Sequence, residues 1–345
     1  MATKPDVQKW IGGHTETILC LDCSVDGKVL SGGEKGQSCL WSHDGNVIEK
    51  VGVGEIGIAD VTSVCFSRKD PSCFYVASGE QIRQYDSRNL KMAMWNCEYN
   101  KEEINQIALN CNEELLASCD DSGLIRIINV REKKCKKVLR KHSNICTSVR
   151  FRSKRPWELI SGGMDASVVH WESGRGRTLS VLNMQEIARH SNPSGGYMVN
   201  PPLVHSVDVS ENDHLLACGL ENASVELFEF RGKKSLCQKM CLQGHCLGVS
   251  QVHFPKFRSD DWLLSAGNDG KIILWDIANV KSTSGKMKDE DGGTEMGSSV
   301  SSQFQKHVIT HGDKINWLTT VKTITNNFIF VADQSETISV YSLTH

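Results

Sequence analysis

The stretch GHCLGVSQVHF (residues 244–254), followed by WLLSAGNDGKIILWD (262–276), sets out one grammar. A Gly-His pair leads into an alternating strand, then come a small-residue strand, a tight turn, and a strand ending in Trp-Asp. Period-two alternation marks half-buried strands, and Asn-Asp-Gly between two of them marks a hairpin. The same grammar recurs as KHSNICTSVRF (141–151) and ELISGGMDASVVHWE (158–172). In both copies Ser precedes Trp by ten (Ser265/Trp275, Ser161/Trp171) and Asp precedes it by six (Asp269, Asp165).

Worked outward, the repeat gives seven strand ends of one kind. They fall at Trp41, Tyr85, Ile128, Trp171, Phe228, Trp275 and Tyr341. A period of about 40–45 residues with four short strands per unit is the signature of β-propeller blades. The expected fold is therefore all-β, a single seven-bladed propeller over 1–345. The last unit runs out after its third strand, and VQKWIG (7–12) stands ahead of the first Gly-His pair. Pairing the two chain ends in one blade removes two exposed sheet edges, so the termini are expected to close the ring. Two segments fall outside the repeat. Residues 185–202, rich in Pro, Gly and Asn, are expected to form a long loop, and 281–303, rich in Ser, Gly and mixed charge, a disordered insertion.

Composition narrows the function classes. Hydrophobic residues make up 39% of the chain and charged residues 23%, ordinary for a globular protein. A net charge of −2 leaves no electrostatic footprint for nucleic acid. No apolar run approaches the roughly 20 residues of a membrane helix, and MATKPDVQKW carries no signal-peptide core. The 14 cysteines are scattered along a long chain, which reads as reduced, mostly buried thiols in the cytosol or nucleus.

The blade grammar resembles that of the WD-repeat family, over nearly the whole chain. In that family a His entering a blade bonds the Asp of its inner hairpin, with Ser and Trp beside them. The resemblance implies this network for His142, Asp165, Ser161 and Trp171, and for His245, Asp269, Ser265 and Trp275. Such a network satisfies polar groups that would otherwise cost about 1–3 kcal/mol each when buried. Other units depart from it. The first keeps His14, Ser31 and Trp41 but has Lys35 for Asp; the third has Ile128 for Trp; the seventh has His311 but ends in Tyr341. Those blades are expected to lean on apolar packing.

Reactive constellations weigh lightly. Cys237, Cys241, His245 and Cys246 have the ligand types for zinc. Two cysteines four apart on a strand, however, stand about 13 Å apart, whereas tetrahedral sulfurs need roughly 4 Å. Cys20 and Cys23 form a CxxC on an alternating strand rather than at a helix N-terminus, where a thiolate is stabilised. SGGEKGQS (31–38) is a hairpin turn and not a phosphate loop, and SGRGRT (173–178) a solvated turn. No strained serine elbow accompanies the Ser, His and Asp of the good blades. No metal, cofactor or catalytic residue is expected.

One strand end stands apart. In WD-repeat proteins that serve as substrate receptors of cullin-4 ubiquitin ligases, a Trp-Asp-x-Arg ending binds the ligase's propeller adaptor. YDSR at 85–88 matches it with Tyr for Trp, and the next unit keeps only Arg131, after Ile128 and Asn129. The resemblance thus implies adaptor binding by Asp86, Arg88 and Arg131, on a monomeric, non-catalytic propeller with protein partners and no nucleic-acid or membrane partner. A propeller that reads a peptide or histone tail through its central channel remains the alternative.

Overall fold

The computed structural model describes residues 7–52, 57–191, 200–232, 235–258, 260–278, 301–323 and 326–343. They form seven four-stranded antiparallel sheets. The inner strands of blades 1 to 7 are Ile18–Cys23, Val61–Phe66, Ile104–Leu109, Cys146–Phe151, Val204–Val209, Val249–His253 and Ile315–Lys322. Each blade then meanders outward through three more strands. The exception is blade 7, whose outer strand is Val7–Trp10, paired antiparallel with Ile338–Leu343. The chain ends close the ring, as the unfinished last repeat requires. No helix among the described residues is long and apolar enough to cross a membrane.

The core lies between blades rather than inside them. Each of seven apolar clusters is shared by two neighbours. At the closure, Trp10 packs against Trp41 of blade 1 and Phe330 of blade 7, with ring centroids 5.9 and 5.1 Å away. Side chains of the inner strands also stitch blade to blade. Ser63, Ser148 and Ser206 each accept a bond of 3.1 or 3.2 Å from an inner-strand N–H of the next blade, those of Ile107, Val207 and Val252.

The first of the two segments outside the repeat differs from expectation. The stretch 185–202 is not loop throughout, because helix α1 (Met184–Ser191) precedes and fills its start. Asn183 caps the helix, its side-chain carbonyl accepting the N–H groups of Gln185 and Glu186, while Met184 is buried. Residues 192–199 and most of the insertion expected at 281–303 lie outside the described residues. At the end of that insertion Ser301 is already buried, and its hydroxyl accepts the Gln243 N–H at 3.1 Å.

Candidate functional site

First and third strands of a blade run the same way, so every blade has two distinct rims. The loop entering the blade and the turn between its second and third strands lie at one rim, and the end of the third strand at the other.

At the first rim, His142 places one ring nitrogen 2.7 Å from the Ser161 hydroxyl and the other 3.0 Å from Asp165, while Trp171 donates to Ser161 at 2.8 Å. His245, Ser265, Asp269 and Trp275 repeat the arrangement at 2.8–3.0 Å. A glycine makes room for each bracket. A Cβ on Gly267 would stand 2.6 Å from His245 Nδ1 and 2.7 Å from Asp269 Oδ1, and Gly163 is as crowded. Burial pushes both aspartates up, but the histidine's hydrogen bond and charge prevail and hold each at about 2.

The divergent blades do not fall back on apolar packing, as the sequence reading expects. Blades 3 and 7 move the acid two residues earlier, onto the position where blades 4 and 6 have glycine, whereas blade 1 keeps Gly33 there. In blade 7 Asp333 stands there and bonds His311 at 2.8 Å, and the other His311 nitrogen meets the Tyr341 hydroxyl at 2.7 Å. In blade 3 it is Asp120, fully buried, which accepts from Asn100 at 3.0 Å and pairs with the guanidinium of Arg126. Asn100 in turn accepts from Ser118 at 2.9 Å. Ile128 leaves the indole's space to Arg126, and asparagine takes the histidine's place. In blade 1, His14 reaches Ser31 at 2.6 Å, and Trp41 donates to Ser31 at 2.8 Å. Lys35 turns away to Glu16. The bonds of these groups run inside their own blades, although the buried His14 Nδ1 has no hydrogen-bond partner among the described residues.

The opposite rim carries the arginines. Arg88 folds back on Asp86, its backbone N–H and Nε reaching Oδ1 at 2.9 and 2.8 Å and Nη2 pairing with Oδ2. Those bonds from the Arg88 side chain, then from its backbone, hold the Asp86 carboxyl at about 2. The Arg88 side chain is nevertheless 77% exposed, so it is positioned without being hidden. Arg131 sits on the turn after Leu124–Asn129 of blade 3, exposed. Asn129 does not hold it: its side-chain carbonyl accepts the Glu132 N–H at 2.6 Å. The turn itself is pinned, because Tyr99 donates its hydroxyl to the Lys133 carbonyl at 2.8 Å.

Sequence reading passed over a second bracket of the same kind. Phe228-Glu229-Phe230-Arg231 has the order aromatic, acid, any, arginine, and Arg231 Nε reaches Glu229 at 2.9 Å. The signal was present, hidden by glutamate in place of aspartate. It lies in blade 5, away from Arg131.

The same rim holds the mouth of the central channel, a cavity of about 380 Å3 that every blade lines. One level of it carries Asp22, Cys65, Arg150, Asp208 and His253. Asp22 and Asp208 are spent on N–H groups of the next blade, Phe66 and Phe254, both at 2.8 Å. Of the residues with metal-ligand chemistry, Cys237 and Cys241 lie on the outer strand Ser235–Gln243, and His245 is taken by Ser265 and Asp269. All 14 cysteines are free thiols.

A sequence profile described as WD domain, G-beta repeat matches residues 6–47, 133–172 and 236–276. The WD repeat-containing protein 53 homolog of Dictyostelium discoideum is 31% identical, over 96% of this chain and 93% of its own length. The E3 ubiquitin-protein ligase COP1 of Pisum sativum is 25% identical over 70% of this chain, which covers 30% of that protein. A p21-activated protein kinase-interacting protein 1-like of Xenopus laevis is 23% identical over 59% of this chain and 61% of its own.

Proposed function

The chain belongs to the WD-repeat family, and from that premise we propose a non-catalytic scaffold that acts as a substrate receptor of a cullin-4 RING ubiquitin ligase. It docks the ligase's propeller adaptor through Asp86, Arg88 and Arg131, in the cytoplasm or nucleus. One observation carries this reading: Arg88 is exposed yet fixed by its own strand's carboxylate, with Arg131 on the adjacent blade at the same rim. A guanidinium presented in this way forms forked bonds to carboxylates or carbonyls that lysine does not reproduce. The likeness to a relative named as an E3 ubiquitin-protein ligase fits the reading at a coarser level. The test is co-purification of the adaptor with Arg88→Ala/Arg131→Ala. Loss of the adaptor with an unchanged melting temperature is expected, and retention at the wild-type level refutes the reading.

The channel mouth favours a second reading, a propeller that takes a peptide or histone tail there. In that case Arg150→Ala with His253→Ala removes binding in a peptide array, while Arg88→Ala does not.

A further inference from the structure

Blade 2 has an unusual outer edge. Its fourth strand, Trp95–Cys97, is three residues long, whereas Lys134–Arg140 and Arg177–Asn183 have seven. It pairs only with Ile82, Arg83 and Gln84, so beyond them the third strand is covered by the connection 87–94 instead of a strand. That connection is anchored along its length. The N–H of Ser87 donates to the Ser72 carbonyl at 2.7 Å, that of Gly52 to the Leu90 carbonyl at 2.8 Å, and that of Met94 to the Gln84 carbonyl at 2.8 Å. Leu90 is buried in the cluster shared by blades 1 and 2, and Ala93 packs against that cluster.

What the anchored connection turns outward is Arg88, then Lys91, then Met92 and Met94, 66% and 58% exposed. Beside Met94 lies a recess of about 440 Å3, lined by Arg83, Ala93, Met94, Trp95 and Asn96. The acids close to Arg88 are already engaged: Asp86 by Arg88 itself, and Asp70 by the N–H and hydroxyl of Ser72. A fixed loop that exposes two large apolar side chains beside an arginine presents a surface that gains by being covered. Methionine fits such a role, because its flexible thioether moulds to the shape it meets.

We propose that Met92 and Met94 are the apolar half of the docking surface whose charged half is Arg88 and Arg131. The partner meets it with an acidic amphipathic segment. Its carboxylates lie toward the arginines, and a bulky apolar side chain sits on the methionines. This rests on the docking reading above. The choice of occupant rests on charge complementarity with Arg88, Lys91 and Arg131, and on the continuity of arginine and methionines along one connection.

The test measures binding of the full-length chain to purified cullin-4 adaptor by calorimetry, with Met92→Glu/Met94→Glu and the uncharged Met92→Ser/Met94→Ser. Because both side chains are exposed, the melting temperature should stay within a degree or two of wild type. The expected result is at least tenfold weaker binding for the glutamates and at least threefold for the serines. Wild-type binding by both pairs, together with loss in Arg88→Ala/Arg131→Ala, overturns this proposal and leaves the docking reading standing. Wild-type binding by all three variants overturns both. A wild-type dimer in light scattering that is lost in the serine variant assigns the surface to a second copy, and also overturns the proposal.

Discussion

Asn316 of the last blade donates its side-chain amide to the Ile18 carbonyl of the first at 2.9 Å, joining residues 298 positions apart. The same tie recurs around the ring. Cys20 donates to the Val61 carbonyl, Asn105 to that of Cys146 and Thr147 to that of Val204, at 3.3, 3.2 and 2.6 Å. Each links one inner strand to the first residue of the next, so the seam between the chain ends is built like these three junctions.

The outer strand of that seam comes from the opposite chain end, so its removal is a direct test of closure. Deleting residues 1–11 uncovers the edge of Ile338–Leu343 and removes Trp10 from between Trp41 and Phe330. Loss of several kcal/mol or aggregation is expected. The point variant Trp10→Ala should cost about 3–5 kcal/mol, measured by urea unfolding. An unchanged midpoint for the deletion refutes closure.

In blade 3 the Asp120–Arg126 pair is buried, so removing one partner strands the other. Arg126→Met should destabilise by about 3–5 kcal/mol, whereas Arg131→Ala on the exposed turn should stay within about 0.5 kcal/mol. Equal unfolding midpoints for the two variants would mean that the buried pair does not organise this blade.

Acid should weaken the ring in two stages. Burial, with Lys50 adding to it, pushes His14 down to about 4. A histidine in the unfolded chain titrates near 6.5, so below that pH only the unfolded state gains the proton. His14's contribution is complete above pH 6.5 and falls as pH is lowered to about 4, by on the order of 3 kcal/mol. Asp165, Asp269 and Asp333 are pushed up by burial, but their histidine partners hold each at about 2. Their contribution is complete above the unfolded carboxylate range near 4 and is lost as pH falls toward 2. Melting temperatures at pH 7.5 and 5.0 should therefore differ, and His14→Gln should narrow the gap. A gap of the same size in the variant would exclude His14 as its source.

The two arginine brackets separate position from geometry. Arg88–Asp86 has Arg131 on the next blade, while Arg231–Glu229 stands in blade 5. Arg231→Ala should leave adaptor binding unchanged. Asp86→Ala, which frees Arg88 without removing it, should weaken binding about three- to tenfold. The order Asp86→Ala above wild type, or Arg231→Ala below Arg88→Ala, contradicts the assignment to blades 2 and 3.

Sequence alone determined the seven units, their strand order and the closure by the chain ends, because each blade repeats a period-two pattern with fixed turn residues. It also placed Ser and Asp of blades 4 and 6 at fixed offsets from Trp, and the resemblance to the WD-repeat family implied their bonds to His142 and His245. Only the tertiary structure decided how the divergent blades fill the same space. Asp120 and Asp333 stand where blades 4 and 6 have glycine, so an offset rule misses them, yet the pocket between entry loop and turn accepts a carboxylate from either position. The proposed docking surface divides in the same way. Arg88 stands two residues after its carboxylate, just past one strand end, and could be read from that spacing. The exposure of Met92 and Met94, the anchoring of their loop by Leu90 and the shortened outer strand could not, because they depend on how blade 1 packs against blade 2.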